Sequence, residues 1–227
     1  LAFSLHCECR YLILKGDIKN SIEKLNKAIS IFEKNKEFIG LAKAYSLKAV
    51  ALGKLNKNKE QIDYLNKSKS IYSQANDSMG IANVLTNLAH AYIESHQYLF
   101  ALKALEEHEK LKIPKNGNEF FVEVQYGNIY YHLNQMEEAI IHFKKCVQVA
   151  NQYKMLDSEI TGLTHLAECY QKQKNIPEAK SYYFQALDLA KQSRLMLEEA
   201  DALKGMTDLY ESELDFKNAF TSLKKKK

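Results

Sequence analysis

The chain has 227 residues, 46% hydrophobic and 26% charged, with 8 Gly, 2 Pro, 4 Cys and no Trp; average usage would supply roughly 16 Gly and 11 Pro. Such a shortage of turn formers excludes an all-β sandwich or barrel, with its many short connections, and leaves most of the chain free to be helical. The net charge of +4 comes from 32 basic and 28 acidic residues, but only Arg10 and Arg194 are arginine, so the planar fork that reads phosphate and guanine is nearly missing and a specific nucleic-acid reader is not expected.

Taken along the chain, the apolar residues repeat in six copies. A small residue, an apolar or aromatic one three further on, a third position nine beyond that and a fourth after four more recur as Cys9, Leu12, Ser21, Leu25, then Ala49, Leu52, Gln61, Leu65. The following copies read Ala89, Tyr92, Ala101, Leu105; Gly127, Tyr130, Ala139, Phe143; Ala167, Tyr170, Ala179, Tyr183; and Thr207, Tyr210, Ala219, Leu223. The third column advances by 38, 40 and 40 residues from Ala101 to Ala219. In the first half of each copy the apolar positions fall three and four apart, as in Leu85, Leu88, Ala89 and Tyr92, which puts them on one stripe of an α-helix. Polar turns such as Gly16-Asp17, Asn56-Lys57-Asn58 and Lys174-Asn175 separate this helix from a second one. Pro177 sits in the first turn of its helix, where a missing N–H costs nothing.

The predicted units are 1–36, 37–76, 77–116, 117–154, 155–194 and 195–227, the last truncated in its second helix, and together they read as one continuous domain. Two departures stand out. In the first two copies Glu8 and Lys48 replace an expected Leu while Ser21 and Gln61 replace the expected Ala, so looser packing or a capping role is expected there. The connection Ile113-Pro114-Lys115-Asn116-Gly117 interrupts the helical pattern and predicts a local change of pitch.

The columns resemble the tetratricopeptide repeat, most clearly in Leu163, Leu166, Ala167, Tyr170, Ala179, Tyr183 and Ala186. The resemblance implies an all-α, right-handed α-solenoid (superhelix) of about six hairpins. The period of about 40, against the family's usual 34, together with Phe38-Ile39-Gly40-Leu41-Ala42 and Asp77-Ser78-Met79-Gly80-Ile81-Ala82, is similar to long-helix variants in bacterial signalling proteins. It implies a non-catalytic sensor or interaction region attached to an output domain such as a diguanylate cyclase or histidine kinase. The alternatives are the repeat domain of a peptide-regulated phosphatase-type regulator and a self-associating scaffold. Because the chain opens on Leu1 and ends in Lys224–Lys227 with the helical pattern still running, it reads as a fragment of a longer protein.

Chemistry offers little besides binding. No glycine spacing makes a phosphate cradle, and neither a Gly-x-Ser-x-Gly elbow nor a His-Glu-x-x-His helix occurs. His6, Cys7 and Cys9 are close in sequence, but residues two apart on a helix point in different directions, so a tetrahedral metal site is not expected. Cys146 and Cys169 fall on neighbouring predicted helices and read as packing residues. No apolar run approaches the ~18–20 residues of a membrane span, and four cysteines without a framework suit a reducing, cytoplasmic setting. No catalytic residue, metal or cofactor is assigned.

The stripe of each first helix opposite the packing columns is the predicted groove for a protein or peptide partner. It comprises Arg10 and Lys43 in the first two units, followed by Asn83, Asn87 and His90. Phe121, Gln125, Asn128 and Tyr131 continue it in the fourth unit and Thr161, His165, Glu168 and Lys172 in the fifth, with Asp201, Lys204, Asp208 and Glu211 at an acidic end. Ser46 and Val50 join it in the second unit. Amide and imidazole groups both donate and accept, which suits an extended backbone. The Lys/Arg pairs by which some tetratricopeptide domains clamp a chaperone carboxylate are missing, since the equivalent positions hold Ser46/Val50, Thr86/His90 and Val124/Asn128.

Overall fold

The computed structural model describes residues 2–115 and 117–212. Ala219, Leu223 and the terminal lysines of the sequence pattern lie outside the described residues. The chain divides into two compact units, 1–114 and 115–227, and the division falls at the irregular connection around Pro114. Among the described residues there are eleven α-helices and no strand.

The first unit holds α1 (Ala2–Leu14), α2 (Ile18–Asn35), α3 (Phe38–Gly53), α4 (Asn58–Gln74), α5 (Ser78–Glu94) and α6 (Tyr98–Lys110). The second holds α7 (Glu119–His132), α8 (Met136–Tyr153), α9 (Leu156–Lys172), α10 (Ile176–Ser193) and α11 (Met196–Ser212). In each unit every helix packs on the next in an antiparallel run, α1 also touches α3, and α9 also touches both α7 and α11. Within each unit, the first helices of successive hairpins therefore lie on one side and the second helices on the other.

The helices stop by one repeated device. A left-handed residue occurs at Gly16, Lys36, Asn56, Asn76 and His96, then at Asn134, Lys154, Lys174 and Arg194, with φ between 52° and 84°. Within each series the interval is 20 residues, half the sequence period. At every one of these turns the next residue sends its N–H to the carbonyl five positions back, as Asp17 does to Leu12, Asp77 to Tyr72 and Asn175 to Tyr170 at 2.9 Å each. That bond and the left-handed residue close the end of the helix as in a Schellman motif, satisfying carbonyls that a helix terminus leaves open. Only Gly16 uses glycine; Asn serves at 56, 76 and 134, His at 96 and Lys or Arg at 36, 154, 174 and 194, so the scarcity of Gly is partly explained by turns built without it. The regular interval breaks between His96 and Asn134, where Lys112 and Gly117 are both left-handed.

Within the second unit the packing columns are dry. Ala139, Cys146, Ala167, Cys169, Ala179, Tyr183 and Ala186 are each 0% exposed. Two glycines let a second helix approach its neighbour closely. A Cβ at Gly127 would lie 2.5 Å from the Phe143 ring, and one at Gly205 would lie 2.5 Å from the Tyr183 ring. Burial raises the pKa of both buried thiols, that of Cys169 to about 12, so they act as small apolar groups rather than nucleophiles.

The first unit reaches similar burial with polar residues. Ser21 is fully buried, and its hydroxyl donates to the Cys9 carbonyl at 3.3 Å while the Cys9 thiol donates to the Ser21 carbonyl at 3.5 Å. Gln61 is buried against Gly53, where a Cβ would meet its side chain at 2.8 Å. Glu8 pairs with Lys24 on α2. Lys48 donates to Asn26 at 2.6 Å and to the Tyr64 hydroxyl at 2.7 Å, with its ammonium 4.2 Å from the Tyr64 ring centroid. In place of the apolar columns, Glu8, Lys48 and Ser21 find polar partners on adjoining helices, and Gln61 is buried in the space that Gly53 leaves.

Candidate functional site

The layer of first helices carries the sequence-predicted stripe, and each unit presents its own part of it. On α5 in the first unit, Val84, Leu85, Leu88, Ala89 and Ala91 are buried. Asn83 and His90 are exposed and Asn87 is half-buried, at offsets of four and three that hold them on one face. None of the three side chains has a hydrogen-bond partner among the described residues, so their donors and acceptors are open to a ligand.

At the start of this unit Arg10 and Lys43 are exposed on α1 and α3. They lie close enough to His6 to act on it: burial is the largest cause lowering the His6 pKa, followed by Arg10 and then Lys43. His6 was not part of the predicted stripe, although its position one turn before Arg10 is the signal that places it there. Its Nδ1 is buried without a hydrogen bond among the described residues. Ser46 faces the other way, its hydroxyl 2.8 Å from that of Ser68 on α4. That polar pair inside the hairpin removes Ser46 from the open stripe.

In the second unit, α7 places Phe121 at 49% exposure with its ring edge-on to Phe120 at 5.4 Å. Asn128 is half-buried without a side-chain hydrogen bond. Gln125 is only 7% exposed, with its Oε1 unpartnered among the described residues; it belongs to the buried side of the helix rather than to an open surface. Tyr131 is engaged by Lys172, which donates to its carbonyl at 2.9 Å and lies 4.2 Å from its ring centroid. Each occupies the other, so neither is as free as its place in the sequence suggests.

His165 on α9 lies flat on Phe143, with centroids 4.8 Å apart and planes at 22°, and its Nδ1 is 3.0 Å from Glu168 Oε2. This stack and the contact with Glu168 orient the imidazole over the opening between α9 and α11. There the structure forms a cleft of about 280 Å³ lined by Thr161, His165, Glu168, Asp201, Lys204 and Asp208, all on the predicted stripe, together with Thr164, Glu198 and Gly205. The sequence reading missed Glu198 because it lies in the first turn of α11, ahead of the stripe's period. Gly205 occupies the column that holds Asn87, Gln125 and His165 in earlier helices; it lines the cleft by its backbone, while the place of its missing side chain is filled by the Tyr183 ring.

Among the described residues no three His, Cys, Asp or Glu side chains converge as a metal ion would require, and no helix is long and apolar enough to cross a membrane. Cys7 is exposed and Cys9 buried, so the adjacent thiols face different surroundings.

Residues 120–192 match the family described as Tetratricopeptide repeat. A comparison with curated proteins finds no match. Among solved structures, the chain is similar to the Signal Transduction ATPase with Numerous Domains protein with a tetratricopeptide repeat sensor from Pyrococcus horikoshii. The TM-score is 0.78 at 20% identity, over 99% of this chain and 35% of that one. A Rap protein complexed with Competence and Sporulation Factor superposes with a TM-score of 0.79 at 16% identity, over 100% of this chain and 64% of that one. Aspartyl phosphate phosphatase F from Bacillus subtilis gives 0.72 at 15% identity, over 89% and 54%. The chain thus spans about a third of the length of the signal-transduction ATPase and less than two thirds of the phosphatase.

Proposed function

We propose that this tetratricopeptide-repeat chain is a non-catalytic binding module that takes an extended protein or peptide segment along the face that the first helices present within a unit. The observation that carries the reading is the open hydrogen-bonding capacity there: Asn83, Asn87 and His90 in the first unit and Asn128 in the second have no side-chain partner among the described residues. Side chains that both donate and accept match the alternating N–H and C=O groups of an extended strand. The module is cytoplasmic and serves as the sensor or interaction region of a bacterial signalling protein, with an output domain elsewhere in the parent chain. Its likeness to the repeat-sensor ATPase supports that role.

A second reading is favoured by the likeness to the Rap protein and to aspartyl phosphate phosphatase F: the chain is the repeat region of a peptide-regulated phosphatase-type regulator. The parent gene separates the two, through either a helical catalytic bundle before the repeats or an output domain after them. Self-association is the scaffold alternative, and light scattering over a concentration range tests it.

The test of binding is a selection from a random-peptide display library on the immobilised protein, followed by titration of the enriched peptides. Replacing Asn87 and Asn128 together by Ala is expected to lower their affinity about tenfold or more, the loss from removing partnered amides. Neither residue is fully buried, so the thermal melt should stay nearly unchanged. Equal binding by the double variant would remove these amides from the site.

A further inference from the structure

We propose that His6 and Arg10 on α1 and Lys43 on α3 form a subsite for a phosphorylated side chain carried on the bound segment. The inference rests on the binding reading above and specifies its ligand chemistry at the start of the first unit.

His6 and Arg10 are one turn apart on α1 and share a face, and α3, which carries Lys43, packs against α1. The His6 Nδ1 is buried with no hydrogen bond among the described residues, while the side chain as a whole is only half-buried. A ring nitrogen cut off from water without a protein partner carries an unrecovered desolvation cost. The outer torsion of a histidine is broad, so a modest turn of the part-exposed ring brings that nitrogen to a ligand on the open side.

The surroundings are positive and unbalanced. Arg10 and Lys43 are exposed, and neither has a hydrogen bond or ion pair among the described residues. Next after burial, both disfavour a proton on His6, and no carboxylate offsets them there. Glu8, two residues from His6, is taken by Lys24 on α2. The bias extends over the first two hairpins: residues 1–76 hold 14 Lys and Arg against 7 Asp and Glu, although the whole chain is only +4. The field there draws anions.

Two fixed cations without a counter-charge select a dianion over a monoanion. A carboxylate would leave one of them unmatched, whereas a phosphoryl group carries about −1.5 to −2 and three acceptor oxygens. The guanidinium fork, the ammonium and the imidazole N–H supply a donor for each oxygen. A nucleic-acid backbone fits less well, because its row of phosphates calls for a longer run of cations and Arg10 is the first unit's only arginine. Lys43 stands in the column that holds Asn83 on α5, and Arg10 in the column that holds His90. The subsite therefore continues the row of open amide and imidazole groups.

The probes are acetylated, amidated octapeptides of Ala and Asn with one central phosphoserine, glutamate or serine, titrated into the whole chain and followed by nuclear magnetic resonance. His6→Gln assigns the His6 imidazole signal. The phosphoserine peptide is expected to bind at least about threefold more tightly than the glutamate peptide and about tenfold more tightly than the serine peptide. Its binding should raise the His6 pKa, because an anion beside an imidazole favours the charged form, and added salt should weaken it. Arg10→Gln and Lys43→Gln should each cost the phosphoserine peptide several-fold or more, while Lys59→Gln, an equal loss of charge on α4, should not. All three side chains are exposed, so these variants remain folded, which thermal melts check.

Glutamate binding as tightly as phosphoserine, an equal loss in the Lys59 variant, or a His6 pKa that stays in place would overturn the inference. Inorganic phosphate binding as tightly as the phosphoserine peptide would assign the subsite to a free anion, and an eight-nucleotide oligothymidylate binding more tightly would assign it to nucleic acid; either result overturns the segment-borne phosphoryl group. No binding of the phosphoserine peptide, alongside library-selected peptides that depend on Asn87 and Asn128, would overturn it while leaving the binding reading intact.

Discussion

Tyr183→Ala is expected to destabilise the protein by about 3–5 kcal/mol, the range for truncating a large buried aromatic. Tyr183 is 0% exposed, and its hydroxyl donates to Gln171 at 3.0 Å on the preceding helix. Its ring also fills the space that Gly205 leaves on α11, where even a Cβ would come within 2.5 Å. One side chain on α10 thus ties together three consecutive helices, and removing it leaves a cavity that the close glycine contact cannot collapse to fill. Tyr183→Phe keeps the ring and loses only the hydrogen bond, so its cost should be about 1 kcal/mol. Urea unfolding followed by far-ultraviolet circular dichroism measures both. Similar small losses for the two variants would mean that the ring does not anchor the hairpin contact.

Leu166→Lys is expected to cost about as much, roughly 3–5 kcal/mol, the penalty for a buried charge without a counter-group. Leu166 is 1% exposed and packs among Phe143, Cys146 and Cys169. The comparison is with Lys48, which stands in the same column of the second hairpin. There the ammonium has Asn26, the Tyr64 hydroxyl and the Tyr64 ring as neighbours, and the position is half-buried rather than sealed. At position 166 desolvation would lower the folded-state pKa of the lysine below its unfolded value. The unfolded chain then holds more protons between those two values, so the variant's stability should recover as pH rises through that window. A pH-independent loss, or a loss under about 1 kcal/mol, would show that the column tolerates charge wherever it occurs.

Lys48 also marks what could and could not be read from the sequence. Columns such as Ala139, Ala179 and Tyr183 were legible because a helical period and a 40-residue repeat both select them, and burial is the direct consequence of that double selection. The accommodation of Glu8, Lys48, Ser21 and Gln61 was not, since the partners Lys24, Asn26 and Cys9 of the first three, and the Gly53 that makes room for Gln61, lie on adjoining helices, and nothing in a repeat pattern identifies such contacts.

The stripe of candidate binding residues was legible as a face and less so as a set of open groups. Helical spacing places Asn83, Asn87 and His90 together, and it likewise places His165, Glu168, Asp201 and Asp208 along the cleft between α9 and α11. It cannot tell that Lys172 is occupied by Tyr131, that Gln125 is buried, or that Ser46 turns inward to Ser68, because these follow from side-chain packing a few ångströms beyond the periodicity. The left-handed turn residues were equally hidden: Lys36, Lys154 and Arg194 have no compositional mark of a helix end, and only the backbone reveals them.

The measurement that bears most directly on the central claim is amide hydrogen exchange of the whole chain with and without a library-selected peptide. Added protection should concentrate on first helices, in α3 and α5 of one unit or in α9 and α11 of the other, with α8 and α10 unchanged. Protection confined to the second helices or to the turns between them would contradict binding on the first-helix face.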